Sequence, residues 1–326
     1  MTVHDIDLSV VVPVYKEEGN IRPFLGRMVS VLSKMVVQYE IILCLDPSPD
    51  DSQQIIEDEI KTNPNIKLII FSRRFGQPAA TMAGILSCKG RNCVVIDIDL
   101  QDPPEIIPQM YEKLKEGYEV VGARRRSRKG ETVTKKLVSR IGYRFISKIS
   151  DVDIPVDVGD FRIMTRKVIR EIERLQETHG FLRGLISFVG FRQTTIDYDR
   201  EKRHSGHGKY NRTIGSIKIG LNGVIGFSSK PLQLVSIVGL VFSVFSFLLG
   251  AWYVVQKLLG VPLIGGLPTI VLVVTFFAGI QLLSLGVIGE YTGRIYEEVR
   301  NRPLFIIDRT VNMRMQSEKY TKDSID

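Results

Sequence analysis

Cysteine is scarce here: Cys44, Cys88 and Cys93 are the only three in 326 residues, an odd set without CxxC spacing. That excludes a disulfide framework and a cysteine zinc site, and it fits a domain that folds in a reducing compartment. The opening MTVHDIDLSVVVPVY has acidic residues and passes directly into a strand-like run, so a cleaved signal peptide is not expected. Internal repeats and low-complexity stretches are also missing. Most telling is the absence of charge from Leu232 to Val255 and again from Leu267 to Ile288. About 20 such residues cross a bilayer core as a helix, and a buried soluble helix of this length would normally keep a polar stripe. Trp252 and Tyr253, near the end of the first run, suit an interfacial aromatic belt.

Charge elsewhere orients these runs. Their connection carries only Lys257, whereas Lys209, Arg212, Lys218 and Lys230 precede them and Arg294, Arg300, Arg302 and Arg309 follow. Positive flanks stay cytoplasmic, so both ends are expected on that side, with Glu290 at the headgroup level. The chain as a whole has 44 Lys+Arg against 36 Asp+Glu, a net charge of +8. Such a surplus points to an anionic partner: nucleic acid, a phosphorylated ligand or acidic lipid. Much of it sits between Gly122 and Lys148, where Glu131 is the only acid. Beside a membrane, such residues attract anionic headgroups at about 1 kcal/mol each.

The first hundred residues alternate short Val/Ile-rich runs (8–15, 40–45, 67–71 and 93–98) with amphipathic stretches over Asn20–Met35, Asp50–Lys61 and Ala79–Ser87. That alternation predicts a largely parallel α/β sheet covered on both faces, with ligands beyond the carboxyl ends of its strands. Pro13-Val14-Tyr15, Asp46 and the pair Asp97/Asp99 all fall at those ends. In VVIDIDLQDPPE (Val94–Glu105), a strand carried through Ile98 would point Asp97 and Asp99 the same way. Paired carboxylates repel unless a proton or a cation neutralises them, and Gln101 repeats the spacing with a neutral oxygen. The trio suits a hard divalent metal; the alternative is a strand end whose carboxylates meet solvent or cap a turn.

Taken together, VVPVYKEEGNI (Val11–Ile21), SRRFGQPAATMAG (Ser72–Gly84), DIDLQDPPE (Asp97–Glu105), DVGDFRIM (Asp157–Met164), FLRGL (Phe181–Leu185) and GVIGEYTGRIYEEVRNRP (Gly286–Pro303) resemble, in order, the polyisoprenyl-phosphate glycosyltransferases of glycosyltransferase family 2. The likeness is to dolichol-phosphate mannose synthase and bactoprenol glucosyltransferases. It implies a GT-A, Rossmann-like catalytic domain over 1–210 and an amphipathic interfacial segment over 211–229. A transmembrane hairpin over 230–292 follows, with spans at about 232–255 and 267–288, then a cytoplasmic tail over 293–326. The polar stretch after Arg309 is expected to be poorly ordered.

The resemblance also implies roles. Pro13, Tyr15, Glu17 and Asp46 would hold the nucleoside of a nucleotide-sugar, and Asp97, Asp99 and Gln101 would surround Mg2+ or Mn2+ and the donor diphosphate. Arg124, Arg203 and Lys209 lie where the family places phosphate-contacting bases, and Asp157 stands on the acceptor side as a base or an orienting group. The expected reaction is inverting transfer of a hexose, with UDP-glucose as the donor, onto polyprenyl phosphate at the cytoplasmic face. The partners are thus donor, lipid acceptor and membrane, not nucleic acid, and a homo-oligomer is left open. GDP-mannose or a modified UDP-sugar is the alternative donor. A catalytically silent lipid-binding adaptor is the rival of another class, and a processive polysaccharide synthase is disfavoured because Trp252 belongs to no QxxRW motif.

Two departures from the family pattern are visible. Leu45-Asp46-Pro47-Ser48 replaces the usual DDGS or NDGS, and Gly208 in RHSGHGKY replaces the usual Ser or Thr before Lys-Tyr. His204 and His207, loop histidines in basic surroundings, are expected to face solvent or phosphate rather than a second metal.

Overall fold

The computed structural model describes residues 6–126, 158–175, 182–201, 228–260 and 266–313. Strands β1 (Leu8–Val14), β2 (Tyr39–Leu45), β3 (Ile66–Phe71) and β4 (Asn92–Val95) alternate with helices α1 (Glu18–Lys34), α2 (Ser52–Thr62) and α3 (Gln77–Ser87). Helix α4 (Ile107–Lys115) and β5 (Val120–Arg125) follow, then β6 (Val158–Thr165), α5 (Arg166–Leu175), α6 (Leu182–Val189) and β7 (Gln193–Tyr198). Two long helices, α7 (Lys230–Leu258) and α8 (Leu267–Val299), precede a final strand, β8 (Ile307–Val311).

The eight strands form one sheet in the order β7-β5-β6-β4-β1-β2-β3-β8. Strands β1 to β4 are parallel to their sheet neighbours among themselves, and β6 and β8 run against theirs. The two-residue period of a strand sends alternate side chains to opposite faces. Val10 and Val12 therefore meet Phe24, Met28 and Ile107 on one side, while Val11 meets Ala83, Ile85 and Ile169 on the other. Both faces are covered, which is why these strands read as continuous apolar runs. Helix α3 comes closest to the sheet at Gly84, where an added Cβ would lie 2.3 Å from a methyl of Val11 and 2.8 Å from the Cys44 sulfur.

The chain reverses direction across the sheet at β1, which lies between β4 and β2. Pro13 belongs to this central strand, where a missing N–H is normally excluded. It is tolerated because the β1–β4 ladder stops at Val11↔Val95, whereas β1 and β2 stay paired to Val14↔Leu45. Past Val11 the two strands part, and that opening is the crevice in which ligands of open α/β sheets collect.

Three sequence expectations change. Strand β4 ends at Val95 rather than Ile98, so Asp97 and Asp99 occupy the turn after it and the strand alternation does not align them. Leu100, at φ 59°, shows how sharply the chain turns there. Helix α8 does not stop near Ile288: it continues to Val299, with Glu290 and Arg294 paired at 3.6 Å across one turn. At 1.5 Å per residue its 33 residues span about 50 Å, well beyond a hydrocarbon core of about 30 Å. Finally, Thr310 and Val311 are not part of a loose tail but lie in β8, hydrogen-bonded along the outer edge of β3.

Helices α7 and α8 contain segments, Lys230–Trp252 and Val273–Val299, that are long and apolar enough to cross a membrane, with mean hydropathies of 2.4 and 1.7. They touch through Phe242, whose ring packs edge-on against Phe276 and Phe277. The Tyr291 hydroxyl donates to the Ser228 carbonyl at 2.6 Å, tying the start of α7 to the far end of α8.

Candidate active site

Three loops converge beyond β1, β2 and β4. The first two are laced by hydrogen bonds: the Lys16 N–H donates to Ser48 at 3.0 Å, the Glu17 N–H to Ser52 at 3.1 Å and the Glu18 N–H to Asp50 at 3.3 Å. Lys16 has φ 55° at this turn. Glu17 is buried and accepts from the Asn20 amide at 2.5 Å. Tyr15, at the tip of β1, lies under the Arg74 guanidinium, 4.0 Å from its ring centroid.

Asp46 is 2 % exposed. Its two carboxylate oxygens accept the Phe75 and Gly76 N–H groups, each at 2.9 Å. Gly76 has φ 91°, a conformation a side chain would strain, and caps α3. Asp46 thus holds the loop that carries Arg73 and Arg74 over the cleft. An Asp46→Ala variant leaves two N–H groups without their charged acceptor, each such bond contributing about 1.5–3 kcal/mol. The expected result is a loosened Phe75–Gly76 loop, read as a lower thermal midpoint of the purified protein; an unchanged midpoint would remove this role.

Asp97 is half-buried and accepts from the Gln77 amide at 2.8 Å. Asp99 is buried and accepts from the Gln101 N–H at 3.1 Å. Burial first, and then the charges of Asp160, Asp102 and Asp99, push the Asp97 carboxyl up to about 8. So many carboxylates around one turn are relieved by a cation, which is the chemistry the residues themselves ask for. Among the described residues, no three His, Cys, Asp or Glu side chains are gathered as a ready metal cage. Gln101 donates its side-chain amide N–H toward the Glu201 backbone carbonyl at 3.5 Å, and the Gln101 backbone carbonyl accepts the Glu201 N–H at 3.0 Å.

Residues 9–173 match the family described as Glycosyl transferase family 2. Over 94 % of this chain and 94 % of its own length, an "Uncharacterized glycosyltransferase YkcC" of Bacillus subtilis is 45 % identical. The SfII prophage-derived bactoprenol glucosyl transferase of Shigella flexneri is 35 % identical over 93 % of this chain and 98 % of its own. The chain belongs to glycosyl transferase family 2. Among solved structures, a glucosyl-3-phosphoglycerate synthase from Mycobacterium tuberculosis shares 18 % identity at a TM-score of 0.45, covering 69 % of this chain and 81 % of that one.

In this family 2 glycosyltransferase, with its GT-A-like sheet, the crevice collects Pro13, Tyr15, Glu17, Asp46, Asp97, Asp99 and Gln101 from separate loops. Arg124 is differently engaged: its guanidinium makes a two-pronged ion pair with Asp197 of β7, at 2.6 and 3.1 Å. Its neighbour Arg125 faces the acidic turn instead, donating to the Tyr198 hydroxyl at 3.1 Å and standing 3.7 Å from Asp102. Asp157, Arg203, Lys209, His204, His207 and the interfacial segment 213–227 lie outside the described residues.

The acidic turn is held by partners that no quoted motif contains: Tyr198, Arg125, Arg200 and Arg27. Asp102, 1 % exposed, accepts from the Tyr198 hydroxyl and has Arg125 and Arg200 each 3.7 Å away. Arg27 of α1 grips Glu105 at 2.7 and 2.8 Å and Glu201 at 2.6 and 3.0 Å. The turn from Asp97 to Glu105 is thus fastened to β7 and α1, so its carboxylates are held in place before any ligand arrives. The available signal was strand parity: Arg125 shares its face of β5 with Val121 and Ala123, both in the same core cluster as Tyr198.

Proposed function

We propose that this enzyme moves a hexose, glucose from UDP-glucose, onto a polyprenyl phosphate at the cytoplasmic face of a membrane. The observation that carries the reading is the buried, pre-fastened carboxylate turn at the mouth of a nucleotide-type crevice, in a chain that continues into two apolar helices of membrane-crossing length. The name of the Shigella flexneri relative supplies the acceptor class and the sugar.

Asp97, Asp99 and Gln101 would hold Mg2+ or Mn2+ against the donor diphosphate, where the ion supplies Lewis-acid neutralisation of charge on the leaving group. The chain's own groups do the rest. Tyr15, Glu17 and the loop clamped by Asp46 position the nucleoside. The acceptor is already mostly anionic at neutral pH, since a phosphate monoester has its second pKa near 6. It therefore needs neighbouring cations more than a strong base, and Arg124, Arg203 and Lys209 are the candidates, with Asp157 as base or orienting group. In this reading residues 211–229 lie at the headgroup layer, because each CH2 of an isoprenoid drawn into water costs about 0.8 kcal/mol. The active site must come to the lipid.

The test is to incubate purified protein with undecaprenyl phosphate and a panel of UDP- and GDP-sugars, with Mg2+ or Mn2+, and weigh the lipid products. A hexosyl-phosphoryl lipid formed from UDP-glucose is expected. Product only from GDP-mannose or a modified UDP-sugar would overturn the donor, and no lipid product from any donor would overturn the acceptor.

A further inference from the structure

The loop between β3 and α3 carries two adjacent arginines, Arg73 and Arg74, both exposed. The Arg73 guanidinium lies over the Phe75 ring, 4.0 Å from its centroid, and gives one Nη to the Arg74 carbonyl at 3.1 Å. The Arg74 guanidinium lies over Tyr15, also at 4.0 Å. Among the described residues, neither arginine makes an ion pair. The arginines around the acidic turn are committed elsewhere: Arg124 to Asp197, Arg125 and Arg200 to Asp102, and Arg27 to Glu105 and Glu201.

The loop beneath the pair is fastened at both sides. Asp46 accepts the Phe75 and Gly76 N–H groups, each at 2.9 Å, and the Gln77 amide donates to Asp97 at 2.8 Å. It is thereby tied to the end of β2 and to the acidic turn, which places both guanidinium groups on the rim of the crevice. A guanidinium stacked on an aromatic ring uses its face, so its N–H edge stays available for a two-pronged contact with phosphate oxygens. Stacking also limits the side chain's freedom in advance, and less is lost when an anion binds. Two neighbouring positive groups without a counter-charge repel, and an anion that reaches both relieves the repulsion. Mere solvation of two cations requires neither an aromatic platform for each nor a clamped backbone below them.

We propose that Arg73 and Arg74 form a two-guanidinium clamp for a substrate phosphate at the rim of the crevice, with Phe75 and Tyr15 as its platforms. The transfer reaction proposed above, on which this inference rests, offers two phosphates of this chemistry: the diphosphate of the donor and the monoester of the acceptor. Arg124 is already neutralised by its two-pronged pair with Asp197, so the clamp adds positive charge that no carboxylate of the described residues has claimed.

The experiment titrates UDP and farnesyl phosphate separately into the full-length protein in detergent with Mg2+, and compares the parent with Arg73→Gln, Arg74→Gln, the double variant and Arg74→Lys. Saturation of the parent by at least one probe is expected. Each single Gln variant should weaken that Kd about tenfold and the double variant about a hundredfold, the scale of charge-assisted contacts to phosphate. Arg74→Lys keeps the charge without the fork and should recover part of the loss. Both side chains are exposed, so the thermal midpoints should match the parent's, which separates a lost contact from a lost fold. Lys61→Gln removes the same charge at the other end of the sheet, where α2 leads into β3, and should leave the Kd unchanged. A loss seen with UDP assigns the clamp to the donor and one seen with farnesyl phosphate to the acceptor; either supports it. An unchanged Kd for both probes in the double variant, or an equal loss in Lys61→Gln, overturns the clamp and leaves the transfer reaction standing. A parent protein that binds neither probe overturns the transfer reaction and the clamp with it.

Discussion

An Asp99→Ala enzyme is expected to lose sugar transfer by about a thousandfold or more while remaining folded and membrane-embedded. The magnitude follows from the position of the group. Fixed charge aimed at a developing anion is worth at least as much as one oxyanion-hole donor, whose removal costs about 100- to 1,000-fold in rate. Asp99 is buried, on a turn held through Asp102 by Tyr198 and through Glu105 by Arg27, so its carboxylate is fixed in place. The same burial argues that the fold survives: Asp99 belongs to a crowded set of carboxylates, and deleting one relieves repulsion on Asp97. The check is lipid-linked sugar formed by purified variant protein whose thermal midpoint matches the parent's. Undiminished product would remove the metal role of Asp99 and, with it, the proposed mechanism. Asp102→Asn is the informative companion. It keeps Asp97 and Asp99 but loosens their support, and a partial loss of about 10- to 100-fold is expected, as for groups that orient metal ligands.

How much of this was legible beforehand depends on how local the signal is. The sheet core is written in runs such as Leu8–Val14 and Tyr39–Leu45, whose burial on both faces leaves no polar alternation to confuse them. The loops bearing Tyr15, Asp46 and Asp97 could be placed at one edge because parallel strands put all their carboxyl ends together. The end of β4 was misplaced because Ile96 and Ile98 are as apolar as the strand before them; they are buried by the turn, not by the ladder. That Arg125 rather than Arg124 faces the acidic turn was not legible, because the two are adjacent and only the strand's parity and its bulge near Gly122 separate their faces. The clamp of Arg27 on Glu105 and Glu201 spans 78 and 174 residues, a separation that no local pattern reveals. The return of β8 to the sheet was hidden for the same reason: IDRTV is short and polar on one side, as edge strands often are.

That returning strand carries the second large expected effect, since Phe305→Ala should destabilise the catalytic domain by about 3–5 kcal/mol, the usual range for truncating a buried aromatic. Phe305 is 1 % exposed and follows α8 after a turn through Asn301, at φ 46°. Its ring meets Phe71 edge-on at 6.0 Å, and Phe71 meets Phe75 at 6.1 Å. Phe75 is the residue whose N–H Asp46 accepts, so the packing that anchors the end of the apolar hairpin is continuous with the loop over the cleft. The anchor is completed by the Ser72 N–H on the Ile306 carbonyl at 3.0 Å, Arg309 on Glu57 at 2.9 Å and the Asn312 amide on the Pro64 and Ile66 carbonyls at 2.7 and 2.8 Å. Losing the ring therefore loosens two things at once: the sheet edge and the loop that Asp46 clamps. Denaturant or thermal unfolding of the solubilised protein measures the first, and donor KM measures the second. Ile306→Ala, next door but 39 % exposed, is the control and should stay within about 1 kcal/mol of the parent. If Phe305→Ala behaves no differently from that control, the strand is a passive edge and the hairpin is not coupled to the donor loop through it.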